Sequence, residues 1–377
     1  MPSLLTGLYP SVHRVAFGGN ILHDEFTTLA ETLHRHGYRS ACFTASPHLK
    51  ERAGYYQGFE VFEGSHYAEN ELFDPGSQIV SRATDWLRDR RGEPFLLYLH
   101  LMDVHSPRDL PQPHDGILDG GCGSVDGRQE RICRYDRMIR YVDDQIAGLM
   151  TELAAMRLLE RTLVIVTADH GEEHFDHGRT GHGQSLYDEL IHVPLILRLP
   201  PSLGGSGQCD EIVRHIDVMP TVLEMLGIEP EAPIQGVSLM PIIRDGAKLG
   251  LLEYAETVTR SSDAAEDASW AYHAAVRTDR WKLILQTPFD EATSEAEAPH
   301  AGAEYELYDL REDPLESTNL APIRPRVVDR LSARLAEWRE SCAELRRLYE
   351  SRGAEPVEEP ELDEETRERL KALGYLQ

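Results

Sequence analysis

The sequence has little positive charge and no long apolar run. Lysine and arginine number 38 against 65 aspartates and glutamates, which gives a net charge of −27. A chain of this charge repels phosphate backbones, so the composition argues against a nucleic-acid partner. No stretch of roughly 18 apolar residues occurs, which excludes a transmembrane helix within this sequence.

Cysteine is also scarce. The five cysteines are scattered and form no CxxC pair. An odd number without regular spacing does not resemble a disulfide scaffold. Cys122 and Cys133 are candidates for one bridge in an oxidising compartment, which the sequence leaves open. No signal peptide and no internal repeat are recognisable, so the sequence assigns neither a compartment nor an oligomeric state.

Apolar periodicity predicts helices and strands in alternation. Helices are expected at residues 27–36, 78–91 and 131–159, and from near Pro220 to Gly227. Buried strands are expected in RSACFTA, EPFLLYLHLMDVHSP, RTLVIVTADHG and VPLILRLPP. This order predicts an α/β fold in which helices flank a mostly parallel central sheet.

After about residue 250 the pattern changes to short strands and acidic loops. AAVRTDRWKLILQ and YELYDL have hairpin-like spacing, and a helix is expected at 327–348, so a small antiparallel sheet with a helix is predicted. The last stretch combines an acidic, proline-containing linker with a short helix. We therefore expect an α/β core at 1–250, a small C-terminal α+β subdomain at 251–349, and a linker with a terminal helix at 350–377.

Ionisable side chains follow two of the predicted strands. Asp103 and His105 end one strand, and Asp169 and His170 end another. Ligands of open α/β sheets bind beyond the carboxyl ends of the strands, where the loops gather. Both pairs are therefore candidates for one functional site.

Asp169 and His170 precede Gly171 in a turn where both side chains can face one ion. A carboxylate oxygen with an imidazole nitrogen suits Mn²⁺ or Zn²⁺, and it suits Ca²⁺ or Mg²⁺ if oxygen atoms supply the other ligands. The alternative is that Asp169 caps the following turn and His170 is an ordinary polar residue.

The loop GEEHFDHGRTGHGQSLYDE carries three histidines. His182 is the best candidate, because its neighbours Gly181 and Gly183 let a ligand approach the backbone closely. An imidazole there could donate to an anionic oxygen or protonate a leaving group. His174 and His177 are interpreted as exposed loop residues.

Three further residues are given structural roles. His100 lies inside a predicted strand and is expected to be a core histidine bonded to backbone. His215 and Asp217 are expected to cap the helix that begins near Pro220, which requires no catalytic role.

Eleven segments together resemble the sulfatases, within the alkaline-phosphatase-like superfamily. In the family's order they are PSLLTGLYPSVHRV, TLAETLHRHGYRSACFTAS, GFEVFEG, FLLYLHLMDVHSP, YDRMIRYVDDQIAGLM, VIVTADHGEEHFDHG, GHGQSLYDELIHVPLILRLP, HIDVMPTVLEMLGI, GVSLMPII, AVRTDRWKLI and ELYDLREDPLESTNLA. The chain is similar also to the phosphonate and phosphate monoester hydrolases that share these motifs. The resemblance implies metal-dependent hydrolysis of sulfate esters by an alkaline-phosphatase-like fold. Phosphate or phosphonate ester hydrolysis and a non-catalytic sulfatase-like binding protein are the alternatives.

The resemblance also implies a nucleophile in front of Met1. The family motif reads Cys or Ser, any residue, Pro, Ser, Arg, a small residue, Ser, Leu, Leu, Thr, Gly, and residues 3–7 match its second half. The formylglycine-bearing residue, and a first strand with two metal-binding aspartates, would lie upstream. We therefore expect an N-terminally truncated sulfatase that is inactive as written.

Four residues carry over from the family. Asp169 and His170 match its later metal pair, which implies a divalent ion, Ca²⁺ foremost, with Mn²⁺ or Mg²⁺ as alternatives. His105 resembles the histidine that contacts the transferred group, and His182 stands where many members carry a sulfate-binding lysine. Either histidine would assist departure of the alcohol from a small anionic ester. That replacement, and the absence of the Lys-x-His element from TASPHL, leave the preference for sulfate over phosphate open.

Overall fold

The structure is a computed structural model that describes residues 1–15, 21–46, 54–64, 75–90, 92–105, 127–260, 270–290, 295–296 and 303–352. The chain divides into two units. The first unit is Met1–Phe17, Ile165–Leu197 and Gly204–Gly353, and the second is Gly18–Val164, Arg198–Leu203 and Ala354–Gln377.

The second unit contains a parallel sheet covered by helices. Its elements are α3 (Leu29–Arg35), β1 (Arg39–Thr44), β2 (Val61–Glu63), α4 (Gly76–Asp89), β3 (Phe95–His100) and α5 (Gly127–Ala155). The strand order is β2-β1-β3, and both pairings are parallel. Ala41 at the centre of β1 lies opposite Val61 on β2 and Leu97 on β3. This arrangement confirms the predicted α/β fold.

Helix α4 packs on this sheet through one apolar face. Ile79, Ala83 and Leu87 recur every fourth residue and are buried against Phe43 of β1. Leu153 of α5 joins the same core. Burial of each large side chain contributes about 1.5–3 kcal/mol, so this face fixes the helix on the sheet.

The first unit combines short helices with two small sheets. Its elements before residue 250 are α1 (Pro2–Thr6), α2 (Pro10–His13), β4 (Val164–Thr167), β5 (Glu173–His174), β6 (Thr180–Gly181), α6 (Asp188–Ile191), β7 (Leu195–Arg198), α7 (Val218–Leu226) and α8 (Met240–Asp245). Strand β4 pairs with β7, and β5 forms an antiparallel hairpin with β6. The loop that follows β4 carries the candidate site residues.

The rest of the first unit is an antiparallel sheet with a long helix. The elements are β8 (Glu253–Arg260), β9 (Trp270–Arg277), β10 (Trp281–Asp290), β11 (Glu295–Ala296), β12 (Glu304–Asp309) and α9 (Pro325–Glu350). The order is β11-β10-β9-β8, with β12 also paired to β10. These elements confirm the predicted C-terminal sheet and helix. The domain boundaries at 250 and 349 stay a prediction, and the predicted terminal helix falls within 353–377, outside the described residues.

The structure gives the bonding state of four cysteines. Cys42, Cys209 and Cys342 are free thiols, whereas Cys133 is disulfide-bonded. Cys122, its suggested partner, lies outside the described residues.

No helix in the described ranges has the length and apolar character needed to cross a membrane.

Candidate metal and acid–base site

The turn after β4 presents a carboxylate and an imidazole to one point. The backbone nitrogen of His170 donates to Oδ1 of Asp169 (3.1 Å), and Nδ1 of His170 donates to the carbonyl oxygen of Gly171 (2.8 Å). A carbonyl oxygen only accepts, so the neutral ring carries its lone pair on Nε2. That nitrogen lies 3.9 Å from Oδ2 of Asp169, a separation that one cation bound at about 2 Å from each atom can bridge.

Gly171 is required for the shape of this turn. Its backbone nitrogen donates to the carbonyl oxygen of Leu190 (2.8 Å). A Cβ atom on Gly171 would lie 2.0 Å from the carbonyl oxygen of Glu189. Any larger residue would therefore displace α6 from the turn, which means that α6 supports the Asp169–His170 pair from behind.

The β5–β6 hairpin brings Glu172 and His182 together. Glu173 on β5 pairs with Gly181 on β6, so the residues that flank this pair, Glu172 and His182, face each other. Nδ1 of His182 donates to Oε2 of Glu172 at 2.9 Å. Both side chains are about 15% exposed, so water competes little with this bond. Gly181 has φ 91°, which a side-chain-bearing residue would rarely adopt.

Three side chains converge where the turn and the hairpin meet. The rings of His170 and His182 stack with centroids 4.1 Å apart. One ligand atom each of His170, Glu172 and His182 lies within 4.8 Å of the other two. Two imidazoles and a carboxylate are a donor set for Zn²⁺ or Mn²⁺, whereas Ca²⁺ prefers oxygen ligands. The site therefore offers two overlapping donor sets that share His170: this triad, and the Asp169–His170 pair.

The amino end of α1 lies beside the same site. The amino nitrogen of Met1 is buried, which lowers its pKa, and the negative charge of Asp169 partly offsets this effect. Asp169 and the amino end of α1 are therefore electrostatic neighbours.

Ser3 and His13 resemble a nucleophile and its base, but their protons are arranged otherwise. Nε2 of His13 lies 3.0 Å from Oγ of Ser3. The backbone nitrogen of Val15 donates to Nδ1 of His13 (3.1 Å), so Nε2 carries the proton and donates to Ser3. Burial, with the nearby amino group, lowers the pKa of His13 to about 3. His13 therefore stays neutral and does not activate Ser3.

His215 lies at the site rather than at a helix cap. Its Nε2 is 3.3 Å from Oγ1 of Thr167. Burial lowers its pKa, while the Ala168 carbonyl group and Asp169 act in the opposite direction. The capping role predicted for His215 is therefore wrong. Its position depends on a contact with the end of β4, which is distant in sequence and leaves no local sequence signal.

Asp217 occupies the N-cap position of α7, as predicted, but its side chain makes no capping hydrogen bond to that helix. Its carboxylate accepts from the guanidinium of Arg214 (2.7 Å) and from the backbone nitrogen of Val237 (2.9 Å). It also accepts from the backbone nitrogen of Arg214 (2.9 Å), which closes the short 3₁₀ turn ahead of α7. The residue is fully buried and paired, so its role is structural.

His177 is a half-buried structural link and not an exposed loop residue. Its Nδ1 lies 2.5 Å from Oε1 of Glu189, and its Nε2 donates to the carbonyl oxygen of Glu316 (3.2 Å). Burial opposes the charged ring, but the hydrogen bonds with Glu189 and Glu316 outweigh it and raise the pKa. His174 is half-buried as well, so the exposed interpretation is wrong for both histidines.

His105 lies in the second unit, in the turn after β3. Its backbone nitrogen donates to the carbonyl oxygen of Met102 (3.1 Å). In the same turn the buried Asp103 accepts from the backbone nitrogen of Gly76 at 3.0 Å with each oxygen, which holds the start of α4. Asp103 is thus structural, and the catalytic role of His105 stays a prediction.

Comparison with known proteins gives the family. The model described as Sulfatase matches residues 1–228, which is more than half of the chain. A second family model, described as N-sulphoglucosamine sulphohydrolase, C-terminal, matches residues 177–341. The two matches together span residues 1–341.

One curated relative and two solved structures illustrate the similarity. Arylsulfatase K of Bos taurus is 29% identical over 205 residues, which are 53% of this chain and 35% of that protein. The chain therefore spans about a third of the length of that relative. A protein solved in complex with its substrate D-glucosamine-2-N,6-O-disulfate has a sequence 18% identical to this chain. The two structures match with a TM-score of 0.69 over 91% of this chain and 87% of that one. The phosphonate monoester hydrolase of Agrobacterium radiobacter is 22% identical with a TM-score of 0.70, covering 92% and 85%.

The two structural similarities confirm the alkaline-phosphatase-like fold expected from the sequence. Because their identities are low, they bear on the fold alone. The match of residues 1–228 to the Sulfatase model shows the family as well as the fold. The chain belongs to the sulfatase family.

Proposed function

We propose that this protein hydrolyses sulfate esters with the help of a divalent metal ion. Membership of the sulfatase family supports the reaction class. The single observation that carries the mechanism is the Glu172–His182 hydrogen bond of 2.9 Å beside the ring of His170. It supports the proposal that Glu172 and His182 act as an acid–base pair beside side chains that could bind a cation.

Asp169 and His170 are the proposed metal ligands within this chain. Nδ1 of His170 is engaged by the Gly171 carbonyl group, which directs Nε2 towards the Asp169 carboxylate. When bound, a divalent ion neutralises charge on the non-bridging oxygens of the ester. By resemblance to the sulfatase family, Ca²⁺ is the ion that we propose first. It takes about six to eight oxygen ligands, so most of its shell would come from other groups, whereas Mn²⁺ accepts an oxygen and nitrogen pair more readily.

His182 is the proposed proton donor to the departing alcohol. Glu172 accepts from Nδ1, which orients the ring and leaves Nε2 to face the substrate. Nε2 would transfer its proton to the alcohol oxygen as the bond between that oxygen and sulfur breaks and the oxygen of the attacking nucleophile bonds to sulfur. Stacking against His170 keeps the ring beside the metal ligands. His105 is the second candidate for this role.

A sulfated amino sugar is the proposed substrate. Residues 177–341 match a model for the C-terminal part of N-sulphoglucosamine sulphohydrolase. A protein of the same fold binds D-glucosamine-2-N,6-O-disulfate. The nucleophile, a formylglycine by resemblance, is proposed to enter beside Asp169 from residues that precede Met1, and the buried amino end of α1 supports this direction of entry.

Hydrolysis of a phosphonate or phosphate monoester is the second candidate. The phosphonate monoester hydrolase of Agrobacterium radiobacter shares the fold with a TM-score of 0.70. A histidine at position 182, in place of the family's sulfate-binding lysine, favours this alternative because it changes the anion contact.

Competing substrates separate the two candidates. The chain is extended by its upstream coding sequence, matured and supplied with a divalent ion, and kcat/KM is measured on an aryl sulfate, an aryl phosphate and an aryl phosphonate. We expect the sulfate to give the highest value. A higher value on the phosphonate would establish the second candidate, and silence on all three with nucleophile and ion present would leave a binding protein.

A further inference from the structure

A cavity of about 550 Å³ lies in the first unit and includes no residue of the candidate metal and acid–base site. Its walls are the β9–β10 turn, the loop after β12, the segment before β8 and the helix α9. Four arginines line it: Arg280, Arg311, Arg330 and Arg334. In a chain of net charge −27, this is a local accumulation of positive charge. Electrostatics would draw an anion to it.

Two of these arginines come from the β9–β10 turn and the loop after β12. Arg280 donates to both carboxylate oxygens of Asp309: Nε lies 3.2 Å from Oδ1 and 3.1 Å from Oδ2, and Nη2 lies 2.7 Å from Oδ2. Its guanidinium lies 4.9 Å from the ring centroid of Trp281. The planar group is therefore held in place before any ligand arrives. Arg311 pairs with Asp279. A guanidinium has about five N–H donors, so a carboxylate partner does not exhaust either group.

The other two arginines stand one helical turn apart on α9. Arg330 and Arg334 flank Leu331, which is buried under them. Arg334 pairs with Glu337 at 3.2 Å, but both side chains are more than half exposed, and such pairs contribute little. No ion pair of Arg330 occurs within the described ranges. These two guanidinium groups are accessible to a solute.

The lining of the cavity is both apolar and basic. Besides the arginines it includes Leu331, which is buried, and Leu252 and Trp281, which are half-buried. Apolar side chains of this kind can contact the C–H face of a sugar ring, while guanidinium forks match the paired oxygens of a sulfate or phosphate group. A volume of about 550 Å³ is within the range of about 300–1,000 Å³ that is typical of small-molecule sites.

We propose that this cavity binds a sugar that carries a sulfate or phosphate ester group. The oxyanion is held by Arg330 and Arg334 with Arg280, and the sugar ring lies over Leu331. The proposal does not rest on the proposed hydrolysis, because an anion bound here needs neither the metal ligands nor a nucleophile. The site is therefore a second binding site of the chain and not a part of the metal centre.

Calorimetric titration of the intact chain tests the proposal. The probes are a sulfated disaccharide, a hexose phosphate and an uncharged disaccharide. We expect one or both charged probes to bind, more weakly as salt rises, and the double variant Arg330→Ala with Arg334→Ala to weaken binding by at least about tenfold. Binding of the sulfated probe alone or of the phosphate alone identifies the source of the anion.

Two further variants make the outcome decisive. Arg244→Ala removes a matched exposed arginine on α8, which pairs with Glu224 at 3.1 Å and does not line the cavity, and it should leave binding unchanged. Arg330→Gln, which keeps the helix stem, repeats the test if the double variant unfolds. Equal affinity in parent and arginine variants, or equally tight binding of the uncharged disaccharide, would each overturn the proposal.

Discussion

Glu172 was not singled out in the sequence, although Asp169, His170 and His182 were. The dipeptide after β4 is visible because a run of buried residues ends abruptly in ionisable ones. Glu172 becomes informative only through the β5–β6 register, which sets it opposite His182. Each of these strands has two residues, too short for an alternating pattern to reveal them. The only local signals are Gly181 and Gly183, whose positive φ values mark the turn.

Separate roles for Asp169 and Glu172 lead to a testable difference. Asp169→Asn removes a proposed ligand and should lower divalent-metal affinity by at least about tenfold. Glu172→Gln should leave metal affinity near that of the parent and lower kcat by about 10–100-fold, because a neutral amide holds and orients the ring of His182 less firmly than the carboxylate does. Calorimetry and steady-state kinetics on the extended chain measure the two effects.

Glu224→Gln is the matched control, since Glu224 pairs with Arg244 away from the site residues. It should change neither quantity. If Glu172→Gln abolished metal binding as fully as Asp169→Asn, the His170–Glu172–His182 triad would be the metal centre instead.

Helix α6 has only four residues, so it depends on tertiary contacts for its position. Its first residue, Asp188, accepts from Nζ of Lys282 (2.9 Å) and from Arg277 (3.0 Å). The backbone nitrogen of Asp188 donates to Glu316 at 2.6 Å, and Lys282 also binds Glu316 (2.8 Å). The C-terminal sheet thus holds α6, and α6 in turn supports the turn at Gly171.

Lys282→Met should be strongly destabilising. Lys282 is fully buried, and its removal leaves the carboxylates of Asp188 and Glu316 without their central cation. We expect the free energy of unfolding to fall by about 3–5 kcal/mol, measured by urea denaturation. Arg140→Ala, which breaks an exposed pair with Asp144, should cost less than about 1 kcal/mol. A similar, small loss in both variants would show that the buried network does not hold α6.

Elements with local signals were predictable, and those set by distant contacts were not. The segment TTLAETLHRHG predicts α3, because Thr28 and Glu31 form a capping box and Gly37 follows in the left-handed region. Asp217 stands at the predicted N-cap position of α7, but its carboxylate does not cap the helix because Arg214 and Val237 compete for it. An apolar helix pattern cannot reveal that competition.

Over the whole molecule, the charge balance was predictable but its distribution was not. The composition shows an acidic chain, yet the arginine-lined cavity draws its walls from segments about 80 residues apart in the chain. Only the fold brings Arg280, Arg330 and Arg334 to one place. Stability at low pH is also a property of the entire chain, because protonation acts on its unfolding equilibrium.

Stability should fall as the pH drops from about 6.5 to 4, partly through His273. Burial, with the charge of Arg179, lowers the pKa of His273 to about 4, and its Nε2 lies 2.9 Å from Oγ1 of Thr259. Below pH 6.5 the unfolded chain takes up a proton that the folded chain refuses. This group alone should then cost about 3 kcal/mol by pH 4.

Urea unfolding at pH 7.5 and pH 4.5 measures the effect. His273→Gln should lose less stability between the two values than the parent does, whereas His34→Gln, which changes a half-exposed ring, should follow the parent. An acid loss in His273→Gln as large as in the parent would contradict this role for His273.

Sulfate release before and after removal of the bound ion is the most direct measurement. The extended chain, with its nucleophile in place, should bind one divalent ion, release sulfate from an aryl sulfate, stop when a chelator removes the ion, and recover when the ion returns. Sulfate release that continued without the ion, or no release with both ion and nucleophile present, would contradict metal-dependent sulfate hydrolysis at Asp169 and His170.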